Sequence, residues 1–210
     1  MDLSKSLQQY FDDLSSNAPT PGGGNVAALC GALSSSLGAM VCGLTIGKKK
    51  YAEVEAEMIE VKTKLESFQK EFFELGQKDN AAFDKVMNAF RLPKETDAEK
   101  EVRSKAIEDA TLGAAAVPEV VMKKAKEILP LLKTIIEKGN RNSLSDAGVA
   151  AALVATASKG AYLNVLINCS SLSNQTIAQE VKKRADIVLD ETCAESNRLL
   201  DKVFTAIQPQ

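Results

Sequence analysis

Apolar residues recur at helical spacing along almost the whole chain, and in two stretches the polar half of that pattern disappears. Leu3, Leu7, Tyr10, Phe11 and Leu14 predict a short amphipathic helix at the start. Asn17 to Gly24 breaks it. Asn25 to Gly47 then runs without a charge but is rich in Ala, Gly and Ser. From Ala52 to Phe90 the apolar positions Val54, Met58, Val61, Leu65, Phe68, Phe72 and Leu75 step alternately by four and three, the seam of a helix packed on partners. Pro93 ends it, and Thr96 with Glu99 forms a capping-box signature for the helix from Asp97. Pro118 opens or kinks a further helix that ends at Gly139, with a bend expected at Pro130. A polar loop, Asn140 to Asp146, leads into the second nearly chargeless stretch, Ala147 to Asn168. Ser173 or Asn174 caps a last helix to about Ile207. No stretch alternates with the period of a strand, so the expected fold is all-α. It is one helical domain over residues 1–210, with two buried small-residue helices inside amphipathic ones.

The first chargeless stretch has the length of a membrane span, about 20 residues. However, Asn25, Ser34, Ser35 and Ser36 interrupt the run, and Gly31, Ser35, Gly38 and Gly43 spread round the helix, which favours burial against neighbouring backbones. Lysines and arginines number 26 against 28 acids, for a net charge of −2 with both signs dispersed. Such a balance offers no field for nucleic acid or an anionic membrane and points to a small ligand or a protein partner. The four cysteines make no CxxC pair and read as small core residues of a reducing compartment. Histidine is absent, which leaves Asp, Glu, Lys, Cys and Tyr for proton transfer. The acidic amphipathic N-terminus is unlike a signal peptide, so a cytoplasmic location is expected.

Continuing the seam past Leu75 brings it to Asp79, a carboxyl where the pattern reserves an apolar side chain. If the register holds, burial raises its pKa towards the range useful near neutral pH; if the register rotates at Gly76, Asp79 faces water or pairs with a lysine. Pro21-Gly22-Gly23-Gly24 leads into the first chargeless helix, either as a tight turn or as a place where unpaired N–H groups receive an anion or a polarised carbonyl. Asp146 is an N-cap or first-turn acid, or a ligand contact. Asn164 and Asn168, four apart, share one face of an apolar helix, where buried amides need partners from a neighbouring helix or from a heterocycle.

The segments PTPGGGNVAA, GLTIGKKKY, DNAAF, RLPK, KGNRNSLSDAGVAA and GAYLNVLIN, in that order, resemble the cyclodeaminase domain of formiminotransferase-cyclodeaminase, a family that includes free-standing methenyltetrahydrofolate cyclohydrolases. The resemblance runs from about Leu3 to Leu200. It implies a dimerising helical bundle acting on a tetrahydrofolate one-carbon derivative, with no metal, cofactor, nucleic acid or membrane. It places the catalytic aspartate at Asp79 and puts Pro21 to Gly24, Asp146, Asn164 and Asn168 near the folate cleft. Asn80 and Ala81 depart from the bifunctional members, which carry an acidic residue there. The implied reaction is 5-formiminotetrahydrofolate to 5,10-methenyltetrahydrofolate plus ammonia, with Asp79 as proton shuttle. The alternatives are hydrolysis of the methenyl derivative to 10-formyltetrahydrofolate and a non-catalytic folate-binding or scaffold dimer.

Overall fold

The computed structural model describes residues 4–208, so Leu3 of the expected first helix lies outside them. Six α-helices follow in order: α1 (Leu7–Leu14), α2 (Gly23–Gly43), α3 (Glu55–Phe90), α4 (Asp97–Lys138), α5 (Leu144–Ser170) and α6 (Gln175–Ile207). Among the described residues there is no strand. The caps expected at Thr96 and at Asn174 form, and a further one forms at Ser6. Ser6 with Gln9, and Thr96 with Glu99, close capping boxes on α1 and α4, and the Asn174 side chain accepts from the Ile177 N–H at the start of α6.

The order of contacts is α3, α2, α5, α6 in a row, with α4 touching all four. Met58, Val61, Leu65, Phe72 and Leu75 of α3 are buried on the predicted seam. Met122, Ile128, Leu132 and Ile135 of α4 complete the core against Val154 and Val165 of α5 and Leu199 of α6. Small residues let the backbones come close. A Cβ on Gly31 would lie 2.5–2.6 Å from ring atoms of the fully packed Phe72, and one on Gly160 would lie 3.1 Å from Cβ of Ala27. Gly31→Ala is therefore expected to cost about 1–3 kcal/mol through overpacking, read as a fall in the urea midpoint at unchanged m-value.

Two expectations need correction. Residues 97–138 form one helix, with Pro118 and Pro130 inside it. Proline lacks the N–H that would bond the carbonyl four residues back. For Pro118 that carbonyl belongs to Ala114, and it accepts instead from the side-chain amide of Asn168 on α5, at 3.2 Å. The orphaned acceptor is satisfied from outside, so the helix continues. The second correction concerns α2 and α5. Both are long and apolar enough to cross a membrane, and both pack centrally in the row, yet neither is buried all round. Their small residues face the neighbouring helices, while bulkier ones gather on a side this chain leaves open. Leu33 and Met40 on α2 with Leu44 just after it, and Val149, Leu163 and Ile167 on α5, are all exposed, Leu163 by 65%.

Candidate active site

The start of α2 carries no side-chain cap, and its first intrahelical bond runs from the Val26 N–H to the Gly22 carbonyl. The N–H groups of Gly23, Gly24 and Asn25 thus find no carbonyl within the helix. Asp79 of α3 brings its carboxyl to this end. A Cβ on Gly24 would overlap the carboxyl group, reaching 2.6 Å from Cγ and 2.7 Å from Oδ2, so only glycine admits the aspartate here. Burial pushes the Asp79 pKa up, and the Asn25 backbone N–H, by bonding the carboxylate, restrains the rise. Asp79 is half-buried on the same face of α3 as Leu75 and Val86.

The Asn25 side chain fixes this junction. Its Nδ2 donates to the Gly76 carbonyl at 2.8 Å and to Asn80 Oδ1 at 3.2 Å, one turn before Asp79 and one residue after it. Its Oδ1 accepts from the buried Tyr10 hydroxyl at 3.0 Å. One amide therefore ties α1 and α3 to α2.

In front of Asp79 lies a cavity of about 300 Å³, at the lower end of the range for small-molecule sites. Gly22, Gly23 and Gly24 form one wall, Asp79 and Phe83 another, and Asn164 and Asn168 a third. Asp79 is the one ionisable group among its lining residues. Among the described residues, no three His, Cys, Asp or Glu side chains come together as metal ligands. Burial takes the Cys42 thiol up to about 11, which keeps it protonated.

Of the residues singled out by sequence, Gly22, Gly23, Gly24, Asp79, Asn164 and Asn168 meet in this cavity. Pro21, which follows a cis peptide bond, is half-buried next to it and does not line it. Asp146 is not brought to the cavity of its own chain. It stands in the first turn of α5, eighteen residues before Asn164 and so about 27 Å away along the axis. There the carboxylate suits the positive end of the helix. The loop before it is held to the far end of α2, where the Asn140 side chain donates to the Leu44 carbonyl and the Arg141 N–H to the Tyr51 hydroxyl. Tyr10 and Asn80 were not read as part of the site from sequence, Tyr10 counting only as a helix-face residue and Asn80 only as a departure from the bifunctional members, and Phe83 and Ala114 were not singled out. The signal for the first two was Asn25, an isolated amide at the start of a chargeless helix.

The sequence profile described as formiminotransferase-cyclodeaminase matches residues 6–187. The chain belongs to this family. It is 40% identical to a methenyltetrahydrofolate cyclohydrolase of Methylorubrum extorquens over 97% of its own length and 98% of that protein. It is 29% identical to the formimidoyltransferase-cyclodeaminase of Sus scrofa, of which the match spans 37%. Among solved structures, formiminotetrahydrofolate cyclodeaminase from Thermotoga maritima superposes with a TM-score of 0.80 at 32% identity, covering 97% of this chain and 96% of that one.

Proposed function

We propose that this protein is an enzyme of folate one-carbon metabolism that hydrolyses 5,10-methenyltetrahydrofolate to 10-formyltetrahydrofolate, with Asp79 carrying the proton. The observation that carries the reading is a single, half-buried carboxyl of raised pKa as the one ionisable group of the cavity. The end-to-end likeness to the Methylorubrum cyclohydrolase supports the choice of substrate. The Asp79 carboxylate takes a proton from water as its oxygen bonds to the methenyl carbon. It returns that proton to N5 as the C–N5 bond breaks, and the hydroxyl of the adduct loses its own proton to leave the N10-formyl group. One positioned acid–base group of this kind contributes about 10²–10⁴-fold. The turn at Gly22 to Gly24 and the amides of Asn164 and Asn168 hold the folate.

A second reading is supported by the Thermotoga cyclodeaminase and the bifunctional relatives. Here N10 of 5-formiminotetrahydrofolate attacks the carbon of the protonated formimino group, CH=NH2+, and Asp79 moves the N10 proton to that nitrogen, which departs as ammonia and leaves the methenyl cation. Absorbance of the methenyl chromophore separates the two. Accelerated decay of 5,10-methenyltetrahydrofolate is the expected result, a rise from 5-formiminotetrahydrofolate alone would replace it with the deaminase, and no change with either substrate would refute both.

We also propose that the enzyme works in the cytoplasm as a homodimer. The open apolar side of α2 and α5 supports this, since contiguous exposed apolar patches on a protein mark contact surfaces. Ile167 belongs both to that side and to the cavity wall. Light scattering of the purified protein is expected to give twice the 22.5 kDa chain mass; a monomeric mass would refute the dimer.

A further inference from the structure

The polar wall formed by the end of α5 has a fixed hydrogen-bond sense. Asn168 Nδ2 donates to the Asn164 carbonyl at 2.8 Å and to the Ala114 carbonyl at 3.2 Å, which commits both of its N–H groups. Asn164 Nδ2 donates to the Gly160 carbonyl at 2.9 Å. Carbonyl oxygens only accept, so the NH2 end of each amide must be the end that faces them, and the opposite orientation would set oxygen against oxygen. For Asn168 the constraint is double, because the Ala114 carbonyl has been orphaned by Pro118. Among the described residues no donor reaches Oδ1 of either amide. Ser171, on the same wall, donates its hydroxyl to the Ile167 carbonyl at 3.2 Å, which leaves that oxygen too with lone pairs only. The wall also sits at the C-terminal end of α5, the negative end of the helix dipole.

We infer that Asn168 and Asn164 form an acceptor face that reads the N–H donor edge of the ligand's heterocycle, the 2-amino group and N3–H of the pterin. This inference rests on the folate reading above and adds the direction in which the ligand lies. The aminopyrimidinone edge is held against α5, and the one-carbon end turns towards Asp79 and the start of α2. Two neutral carbonyl oxygens take the donors, and the one negative charge of the cavity is kept for proton transfer. A heterocycle that turns a carbonyl or an unprotonated ring nitrogen to Asn168 meets lone pairs and is rejected there, because Asn168 has no N–H left to offer, whereas Asn164 keeps one N–H beyond its bond to the Gly160 carbonyl.

Binding of 5-formyltetrahydrofolate, a stable probe, is compared by calorimetry with binding of its 2-deamino-2-methyl counterpart. The methyl group keeps the size of the amino group and removes its two donors. Wild-type protein is expected to prefer the 2-amino ligand by about ten- to hundred-fold, as when a hydrogen-bond partner is withdrawn from a desolvated group. In Asn168→Leu the two affinities are expected to converge to within about three-fold, because the acceptor is gone for both ligands. The ratio is insensitive to a general loss of stability, and if the variant does not fold, the wild-type comparison decides. Equal affinities in the wild type, or an undiminished ratio in Asn168→Leu, would overturn the acceptor face. Turnover of 5,10-methenyltetrahydrofolate together with equal affinities would overturn this inference alone, whereas absence of both turnover and binding would overturn the folate reading with it.

Discussion

Asp79→Asn is expected to lower kcat by about 10²–10⁴-fold while making the protein more stable at neutral pH. The loss follows from removing the one ionisable group of the cavity. The gain follows from the sign of the pKa shift. Burial raises the Asp79 pKa in the folded state above its ordinary value, so between those two values the folded state binds more protons than the unfolded one. Stability contributed by this site is therefore greatest below the ordinary carboxylate range. It is lost as pH rises through the raised pKa, above which the charged form is buried at full cost. Asparagine keeps the shape and an oxygen for the Asn25 N–H but carries no charge. Melting temperatures of wild type and variant are expected to coincide in acid and to separate in favour of the variant towards neutral pH. A variant no more stable at neutral pH would mean that the carboxylate is not desolvated. The same shift sets the rate profile: the base form is needed, so wild-type activity falls as pH drops through the raised pKa.

Gly24→Ala tests the other half of the junction and is expected to cost about two orders of magnitude in kcat/KM with little change in stability. The added Cβ would occupy the place of the Asp79 carboxyl. Relief by moving α2 is blocked, because Asn25 is bonded to Gly76, Asn80 and Tyr10 on the flanking helices. The aspartate must swing out, and a misplacement of about 1 Å in a reacting group costs roughly 10²-fold. Alanine meanwhile favours a helix over glycine by about 1 kcal/mol, which offsets the crowding. Away from the start of α2 the carboxyl regains water, so the acid limb of the rate profile is expected to move to lower pH. Gly23→Ala is the internal comparison. Its Cβ would make an ordinary contact, 3.5 Å from Asn164 Nδ2, and a much smaller loss is expected. Similar losses in the two variants would remove the steric explanation.

Asp79 was legible because α3 is long and strictly periodic: a polar residue on its seam is visible from local spacing alone. The turn at Gly22 to Gly24 was legible as a motif, but the reason for its glycines was not, since the atom that excludes a side chain at Gly24 belongs to α3. Asn25 read only as a polar interruption of an apolar run. Its partners lie 15, 51 and 55 positions away, a separation no local pattern reports. That Pro118 lies inside a helix and does not open one was hidden for the same reason. Judged locally, proline ends or kinks a helix, and the amide that rescues the Ala114 carbonyl is 54 positions further on. In α2 and α5, apolar composition all round gave the central position but could not separate the faces covered by this chain from the one it leaves open.

Asp79, Asn164 and Asn168 of the cavity are carried on long helices, whereas Thr20 and Ser171 lie just outside them, and α4, which touches all the other long helices, lends the site the Ala114 carbonyl. Regions that open on their own have few buried contacts and exposed backbone bonds, and none of these helices fits that description. The helix-borne part of the candidate site, Asp79 with Asn164 and Asn168, is therefore expected to be lost only when the bundle itself melts. Heat should abolish activity and helicity together, and a variant that stabilises the bundle anywhere should extend the working temperature of the enzyme by the same margin.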